Sequence, residues 1–145
     1  NLHLQIDKGL SDLDHLFSDT TCPDGWTKFN CSCYRSFGPG SWDEGREDCA
    51  RKGGDLVVID DPEEQNFLSN FTEEAWIGLS IRETEESWLW VDGTSPSFTF
   101  WKNNQTDNDG DCATYDSRLW NTVSCKATKH WICEKIPTTF APNIC

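Results

Sequence analysis

Eight cysteines in a chain of 145 residues constrain this protein more than any other feature of its sequence. An even number of cysteines in so short a chain is typical of a disulfide-stapled domain that folds in an oxidising compartment. Zinc binding is the alternative, but no Cys-x₂-Cys pair is present, and the three histidines lie away from any cysteine pair. We therefore predict four disulfide bonds and an extracellular protein.

The charge balance excludes two classes of partner. The chain carries 12 Lys and Arg against 25 Asp and Glu, a formal net charge of −13. Nucleic acids and anionic membranes both attract basic residues rather than acidic ones. We predict no nucleic-acid partner and no membrane contact by these residues.

Three Asn-x-Ser/Thr triplets support a secretory route and predict N-glycosylation at Asn30, Asn70 and Asn104. The sequence shows no initiator Met, no signal peptide and no apolar run long enough to span a membrane. We interpret the chain as a secreted protein, or as the ectodomain of a type II membrane protein whose anchor lies outside it.

The length predicts one domain with short appendages. Residues 1–21 carry no cysteine, and four apolar residues in this segment are spaced 4-3-4: Ile6, Leu10, Leu13 and Phe17. This seam of about two heptads predicts a helical stalk or neck and hence a homo-oligomer, although a frayed helix explains the same spacing. The domain is predicted at 22–135, and the tail at 136–145 ends in Cys145.

The sequence predicts an α+β domain. Ser41 is placed to cap a helix that ends at Gly53-Gly54, and Asp61-Pro62 opens a second helix. Strands are predicted at three apolar or alternating segments: 55–60, 75–81 and 86–94. A long polar stretch follows them. We expect two helices packed on small antiparallel sheets, with a long polar loop region.

The polar stretch carries side-chain oxygens in a pattern that suits a hard cation. Amide and carboxylate residues alternate along it: Gln105, Asp107, Asp109 and Asp111. Trp120-Asn121-Thr122 follows, between Cys112 and Cys125. Calcium takes about 6–8 oxygen ligands, so these residues are candidate ligands. A polar surface loop pinned by one disulfide has the same composition.

The sequence carries no enzyme motif. It has no Gly-x-Ser-x-Gly, no phosphate-binding glycine loop and no His-Glu-x-x-His. Carboxylates are abundant, but their spacing selects no acid–base pair. We predict that the protein is not an enzyme.

The order of several motifs between Cys22 and Lys135 resembles the C-type lectin-like domain family: CPDGW, a helix containing Cys49, LVVIDDPEEQNFL, WIGLS, WLWVDG, LWNTVSC and WICEK. The resemblance implies that family's fold and three disulfides: Cys22–Cys33, Cys49–Cys133 and Cys112–Cys125. Cys31 and Cys145 are left over. We expect them to pair with each other, and an interchain bridge through Cys145 is the alternative.

The resemblance also implies where a sugar-binding calcium site would lie. Sugar-binding members use a Glu-Pro-Asn or Gln-Pro-Asp triplet, an acidic residue two positions before a cysteine, and Asn-Asp after a Trp. The matching positions here are degenerate: Gln105-Thr106-Asp107, Gly110 with Asp109 or Asp111 as substitutes, and Asn121-Thr122. We expect at most a weak calcium site there, with the ligands Gln105, Asp107 and Asn121.

A second calcium position of the family is structural and matches Val58, Glu64 and Glu134, although two ordinary surface glutamates explain the same residues. Trp101 and Tyr115 are candidates for stacking against a sugar. A Trp in the place of Trp101 more often belongs to a core.

The predicted function is an extracellular recognition module with no required cofactor, the ectodomain of a lectin-like receptor. It would bind a glycan or protein on another cell or pathogen with weak or no calcium dependence. The alternative is a calcium-dependent galactose-type lectin, because the Gln…Asp pattern is associated in the family with galactose-like ligands. The predicted ligand-binding residues are Gln105, Asp107, Asp109, Asn121, Thr122, Trp101 and Tyr115.

Overall fold

The computed structural model describes residues 22–81, 87–102 and 110–137. They fall into two units, of which the larger is Arg35–Glu134. The described part of the smaller unit comprises 22–34 and 135–137. The predicted stalk at 1–21 and most of the predicted tail lie outside the described residues. Within the described ranges, no helix is long and apolar enough to cross a bilayer.

The smaller unit contains a disulfide-stapled hairpin. Strand β1 (Thr27–Phe29) pairs antiparallel with the first part of β2 (Ser32–Gly40). The predicted bridge between Cys22 and Cys33 is present. Cys31 is also disulfide-bonded, whereas Cys145, its predicted partner, lies outside the described residues. The Lys135 ammonium lies 4.4 Å from the centroid of the Trp26 ring, which is a cation–π contact.

Both helices begin at the caps that the sequence predicts. In α1 (Trp42–Arg51), the Ser41 hydroxyl accepts the Glu44 N–H, and the Glu44 carboxylate accepts the Ser41 N–H. In α2 (Pro62–Phe67), the Asp61 carboxylate accepts the Glu64 N–H at 2.8 Å. A 3₁₀ turn at Leu68–Asn70 continues α2.

The remaining strands are β3 (Asp55–Leu56), β4 (Ala75–Ser80), β5 (Leu89–Trp90), β6 (Cys112–Asp116), β7 (Leu119–Val123) and β8 (Lys129–Lys135). The larger unit contains a mixed sheet whose strand order is β2-β8-β4-β6-β7. β3 pairs with β8 and β5 with β4. The β4–β8 pair is parallel, while β6 and β7 form an antiparallel hairpin. Two helices on this sheet confirm the α+β prediction.

Two predicted strands are shorter than expected. The segment 55–60 leaves β8 at Val57. The Val57 N–H still donates to the Ile132 carbonyl of β8, but the Val57 carbonyl accepts the Gly78 N–H of β4. In the described part of the segment 86–94, which begins at residue 87, the strand is limited to Leu89–Trp90, since the chain turns where the Gly93 N–H reaches the Trp90 carbonyl.

The buried face of α1 packs against Trp131 of β8. Trp42, Gly45, Asp48 and Cys49 lie on that face. A Cβ at Gly45 would lie 2.9 Å from the Trp131 ring, so the close approach requires glycine. Asp48 is buried because its carboxylate accepts the Trp131 indole N–H at 3.0 Å.

Candidate functional site

The predicted ligand loop is described only in part. Gln105, Asp107 and Asp109 lie outside the described residues, as does Asn104. The described part comprises Gly110, Asp111 and the β6–β7 hairpin, whose ends are joined by the Cys112–Cys125 disulfide that the resemblance implies.

Trp120 is the centre of an aromatic cluster that holds the segment before the loop. Its side chain is fully buried, and four rings lie within 6.2 Å of it: Trp90, Phe98, Phe100 and Trp101. The backbone is also fixed, because the Trp120 N–H donates to the Phe100 carbonyl and the Lys102 N–H to the Trp120 carbonyl. β7 therefore positions residues 98–102 at the entrance to the predicted ligand loop.

Trp101 belongs to this cluster and also remains half-exposed. Its ring centroid lies 5.0 Å from that of Trp88, which is also half-exposed, and 5.6 Å from that of Trp120. The prediction that Trp101 belongs to the core is thus correct for only one side of the ring. The exposed edge of the Trp88–Trp101 pair stays a candidate for contact with a ligand.

Gln65 ties α2 to the hairpin, and the sequence interpretation missed this role. The side chain is 5% exposed. Its amide oxygen accepts the Trp120 indole N–H at 2.8 Å, and its amide nitrogen donates to the Arg118 carbonyl at 2.7 Å. The signal in the sequence is a glutamine at helical spacing among apolar residues, but nothing there indicates which buried groups it would satisfy.

Tyr115 lies in the core rather than at a ligand surface. It is 1% exposed, and its hydroxyl donates to the backbone carbonyl of Gln65 at 3.0 Å. Burial raises the pKa of this hydroxyl. A ring so enclosed offers no open face for a sugar to stack on.

Gly110 occupies the position where the resemblance places an acidic calcium ligand, and the structure leaves no room for a side chain there. Its φ is +150°, and a Cβ would lie 2.0 Å from the Val123 carbonyl carbon and 2.3 Å from the Ser124 nitrogen. Asp111, one of the two named substitutes, is exposed, and its carbonyl accepts the Ile81 N–H at 2.9 Å.

Asn121 and Thr122 point to opposite faces of β7, because successive side chains alternate along a strand. Thr122 is 7% exposed and shares the inner face with Trp120. Asn121 is half-buried on the outer face and forms a hydrogen bond with the Glu74 carboxylate. The structure therefore does not bring these two predicted ligands together.

Glu74 is the centre of a polar cluster on the outer face of the sheet. Its carboxylate accepts the Thr114 hydroxyl at 2.7 Å and the Lys129 ammonium at 2.6 Å. Burial by itself would raise the pKa of Glu74. The hydrogen bonds from Lys129, Thr114 and Asn121 and the charge of Lys129 outweigh that effect, so the pKa lies below its ordinary value of 4.5.

Because the folded pKa of Glu74 is lowered, its ionised form stabilises the fold above the ordinary value of 4.5, and this contribution is lost as pH falls through the folded pKa. We expect Glu74→Gln to cost about 1.5–3 kcal/mol at pH 7, the usual worth of hydrogen bonds to a charged group. The loss relative to wild type should shrink toward pH 3, and urea unfolding at a series of pH values measures it.

Glu73 provides the control for this prediction. Its side chain is 69% exposed and lies 3.6 Å from the His130 imidazole, so Glu73→Gln should change stability little at any pH. A Glu74→Gln loss that stays constant from pH 7 to pH 3 would contradict the role given to the ionised carboxylate.

The two carboxylates of the predicted structural calcium site accept hydrogen bonds from backbone amides. Glu134 accepts the Val58 N–H at 3.1 Å, and Glu64 accepts the Asp60 N–H at 2.8 Å. Nearby, burial raises the pKa of Asp60, and the negative charges of Asp92 and Asp61 raise it further. No group of three His, Cys, Asp or Glu side chains in the described ranges is arranged to hold a metal. Calcium at Val58, Glu64 and Glu134 stays a prediction.

Comparison with known proteins agrees with this fold. Residues 39–135 match the family model of the lectin C-type domain. CD209 antigen-like protein D of Mus musculus is 39% identical over 127 residues, covering 81% of this chain and 54% of its own length. The chain spans between about a third and about a half of the curated relatives that it matches.

Two solved structures are similar in three dimensions as well as in sequence. The mouse scavenger receptor C-type lectin carbohydrate-recognition domain superposes with a TM-score of 0.76 at 34% identity, over 80% of this chain and 98% of its own. The C-type lectin domain of murine dendritic cell inhibitory receptor 2, in complex with an N-glycan, gives a TM-score of 0.72 at 30% identity, over 80% and 99%. The chain therefore belongs to the C-type lectin domain family, whose members are non-enzymatic recognition proteins, as predicted.

Proposed function

We propose that the protein is an extracellular recognition module, the ligand-binding ectodomain of a C-type lectin-like receptor, which binds a glycan or protein with weak or no calcium dependence. The observation that carries the proposal is Gly110. Its Cβ position is filled by the backbone of Val123 and Ser124, so no carboxylate can stand there without moving β7.

The neighbouring oxygens support the same proposal. Thr122 faces inward, and Asn121 forms a hydrogen bond with Glu74. Gly110, Asn121 and Thr122 are three of the predicted positions of the calcium site. Unless the hairpin rearranges, they offer a calcium ion few side-chain oxygens. An incomplete ligand set places calcium affinity at or beyond the weak extracellular range of about 10⁻⁴–10⁻³ M. The described donors therefore do not fit a tight calcium site.

A glycan is the ligand class that the relatives favour. The related domain of murine dendritic cell inhibitory receptor 2 was solved with an N-glycan. In this chain, the half-exposed Trp88–Trp101 pair is an aromatic surface on which the apolar face of a sugar can stack. Trp101 lies four positions before Gln105, the first of the predicted ligand residues in the loop.

The disulfides favour an extracellular location, because such bonds persist in oxidising compartments. We propose a secreted protein or a type II ectodomain, with 1–21 as a stalk through which chains associate. The partner would be a glycan or protein on another cell or pathogen.

The second candidate is a calcium-dependent galactose-type lectin, favoured by the Gln105-Thr106-Asp107 triplet. A glycan array read with calcium and again with chelator separates the two functions. We expect the same ligands to bind in both conditions, with signals that agree within about threefold. Calorimetry on glycan-free protein should then show no micromolar calcium binding. Micromolar calcium binding with galactose-dependent heat would establish the alternative.

Asn121→Ala tests whether the outer face of β7 contributes to the ligand surface. If it does, affinity for the array-selected ligand should fall about tenfold, with and without calcium. Asn66→Ala is the control, since Asn66 is exposed on α2 and away from this strand in sequence. Equal affinities of both variants and wild type would remove Asn121 from the proposed surface.

A further inference from the structure

A cleft of about 310 Å³ lies between the end of α2 and the turn of the β6–β7 hairpin. Its lining residues are Ser69, Phe71, Thr72, Tyr115, Ser117 and Arg118. The volume is at the lower end of the range for small-ligand sites. Two of these residues, Phe71 and Thr72, belong to the glycosylation triplet Asn70-Phe71-Thr72. The attachment point for a glycan is thus flanked in sequence by Ser69 and Phe71, which both line the cleft.

The two walls of the cleft are held in place before any ligand arrives. Ser117 and Arg118 both have positive φ, 52° and 71°, as the central residues of a tight hairpin turn require. Gln65 connects this turn to α2 through its bond to the Arg118 carbonyl. Because both walls are already ordered, binding of an occupant would cost little conformational entropy in the protein.

The cleft combines an apolar surface at Phe71 with polar groups that suit sugar hydroxyls. Phe71 is half-buried, whereas Tyr115 is 1% exposed and uses its hydroxyl on the Gln65 carbonyl, so the apolar contact with a sugar falls to Phe71. Ser69, Thr72 and Ser117 carry hydroxyls that can donate or accept, and Arg118 carries several N–H donors. A pyranose has the same character, with hydroxyls around its edge and an apolar face of C–H groups.

The Asn70 side chain is oriented by one described hydrogen bond. It is exposed, and its amide nitrogen donates to the Phe67 carbonyl at 2.9 Å. In glycosylation this nitrogen displaces the lipid pyrophosphate from C1 of a lipid-linked oligosaccharide. A C1–N bond forms, the C1–O bond breaks, and one of the two amide hydrogens leaves as a proton. The amide keeps one N–H donor after the transfer.

Two aromatic rings flank the attachment point. Phe67 and Phe71 are half-buried and pack edge to face, with ring centroids 6.0 Å apart. We propose that Asn70 carries an N-glycan whose first sugars lie against Phe71 and fill this cleft, which stabilises the corner between α2 and the hairpin. This proposal and the proposed function both require that the protein passes through the secretory route, and they have no other premise in common.

The test uses the full chain secreted from a eukaryotic host. Peptide mapping by mass spectrometry should find Asn70 glycosylated in most chains. Thermal unfolding should show a melting temperature about 2–6 °C lower for Asn70→Gln than for wild type. Phe71→Ser keeps an acceptor triplet and removes the ring, so in that background Asn70→Gln should shift the melting temperature by less than about 1 °C.

Ser32→Ala is the matched control, because it removes the acceptor triplet at Asn30 in the other unit and leaves Asn30 itself, whose φ of 52° a glutamine would strain, unchanged. If Asn70→Gln is not secreted, a second measurement tests the proposal. It is the rate at which a glycosidase releases each glycan from native wild-type protein. Release at Asn70 should be about tenfold slower than at Asn30. An unmodified Asn70, an equal loss of melting temperature with and without Phe71, or equal release rates would overturn the proposal.

Discussion

Removal of the Cys49–Cys133 disulfide is expected to lower the free energy of unfolding by about 4.5 kcal/mol and to leave much of the domain unfolded at 37 °C. The bond joins α1 to β8 across a sequence separation of 84 residues. Closing so long a loop removes much of the conformational entropy of the unfolded chain. Both cysteines are fully buried, so the packing around them is lost as well. Urea unfolding of the Cys49→Ala/Cys133→Ala variant measures the effect.

The Cys22–Cys33 bridge offers an internal comparison. Its sequence separation is 11 residues, so the same entropy argument gives a smaller loss of about 3 kcal/mol for Cys22→Ala/Cys33→Ala. A larger loss from the short loop than from the long one would show that loop closure is not what makes these bonds stabilising.

Replacement of Trp120 by alanine should cost at least about 3–5 kcal/mol and should also abolish ligand binding. Trp120 is fully buried at the centre of the aromatic cluster, so its truncation leaves a large cavity. It also leaves the Gln65 amide oxygen without its indole donor. Binding should fail because residues 98–102 and Asn121 are positioned by Trp120 and by the strand that carries it. Denaturant unfolding and binding of the array-selected ligand provide the two measurements.

Trp120→Phe separates packing from the hydrogen bond. A phenyl ring fills part of the cavity but cannot donate to Gln65, so we expect roughly half of the alanine loss. Trp88→Ala is the second control, since Trp88 is half-exposed and should lose less stability than Trp120→Ala. Full binding by a folded Trp120→Ala protein would contradict the positioning role of this cluster.

The local features of the fold were predictable because they depend on neighbouring residues. Ser41 and Asp61 cap their helices through bonds to the backbone three positions away, and that spacing is visible in the sequence. Gly53 ends α1 for the same local reason. The motif order predicted the family and the three disulfides that the structure describes.

The candidate site was harder to predict, since its properties depend on contacts between distant segments. Thr122 in place of an aspartate already indicated a weakened calcium position. The sequence could not show that Asn121 would bond to Glu74, 47 positions earlier in the chain. Nor could it show that Tyr115 would turn inward and use its hydroxyl on Gln65.

By itself, the sequence determined the fold class and the helix caps, because these follow from residue type and spacing. Its resemblance to the family implied the three disulfides that the structure describes and the degeneracy of the calcium motif. Only the tertiary structure decided which oxygens remain available to a ligand. Gly110 shows the reason most clearly: whether a side chain fits at that position depends on how closely the backbone of Val123 and Ser124 approaches it. That distance is set by the pairing of β6 with β7 and by the packing of Trp120 beneath them, and not by any neighbour of Gly110 in the sequence.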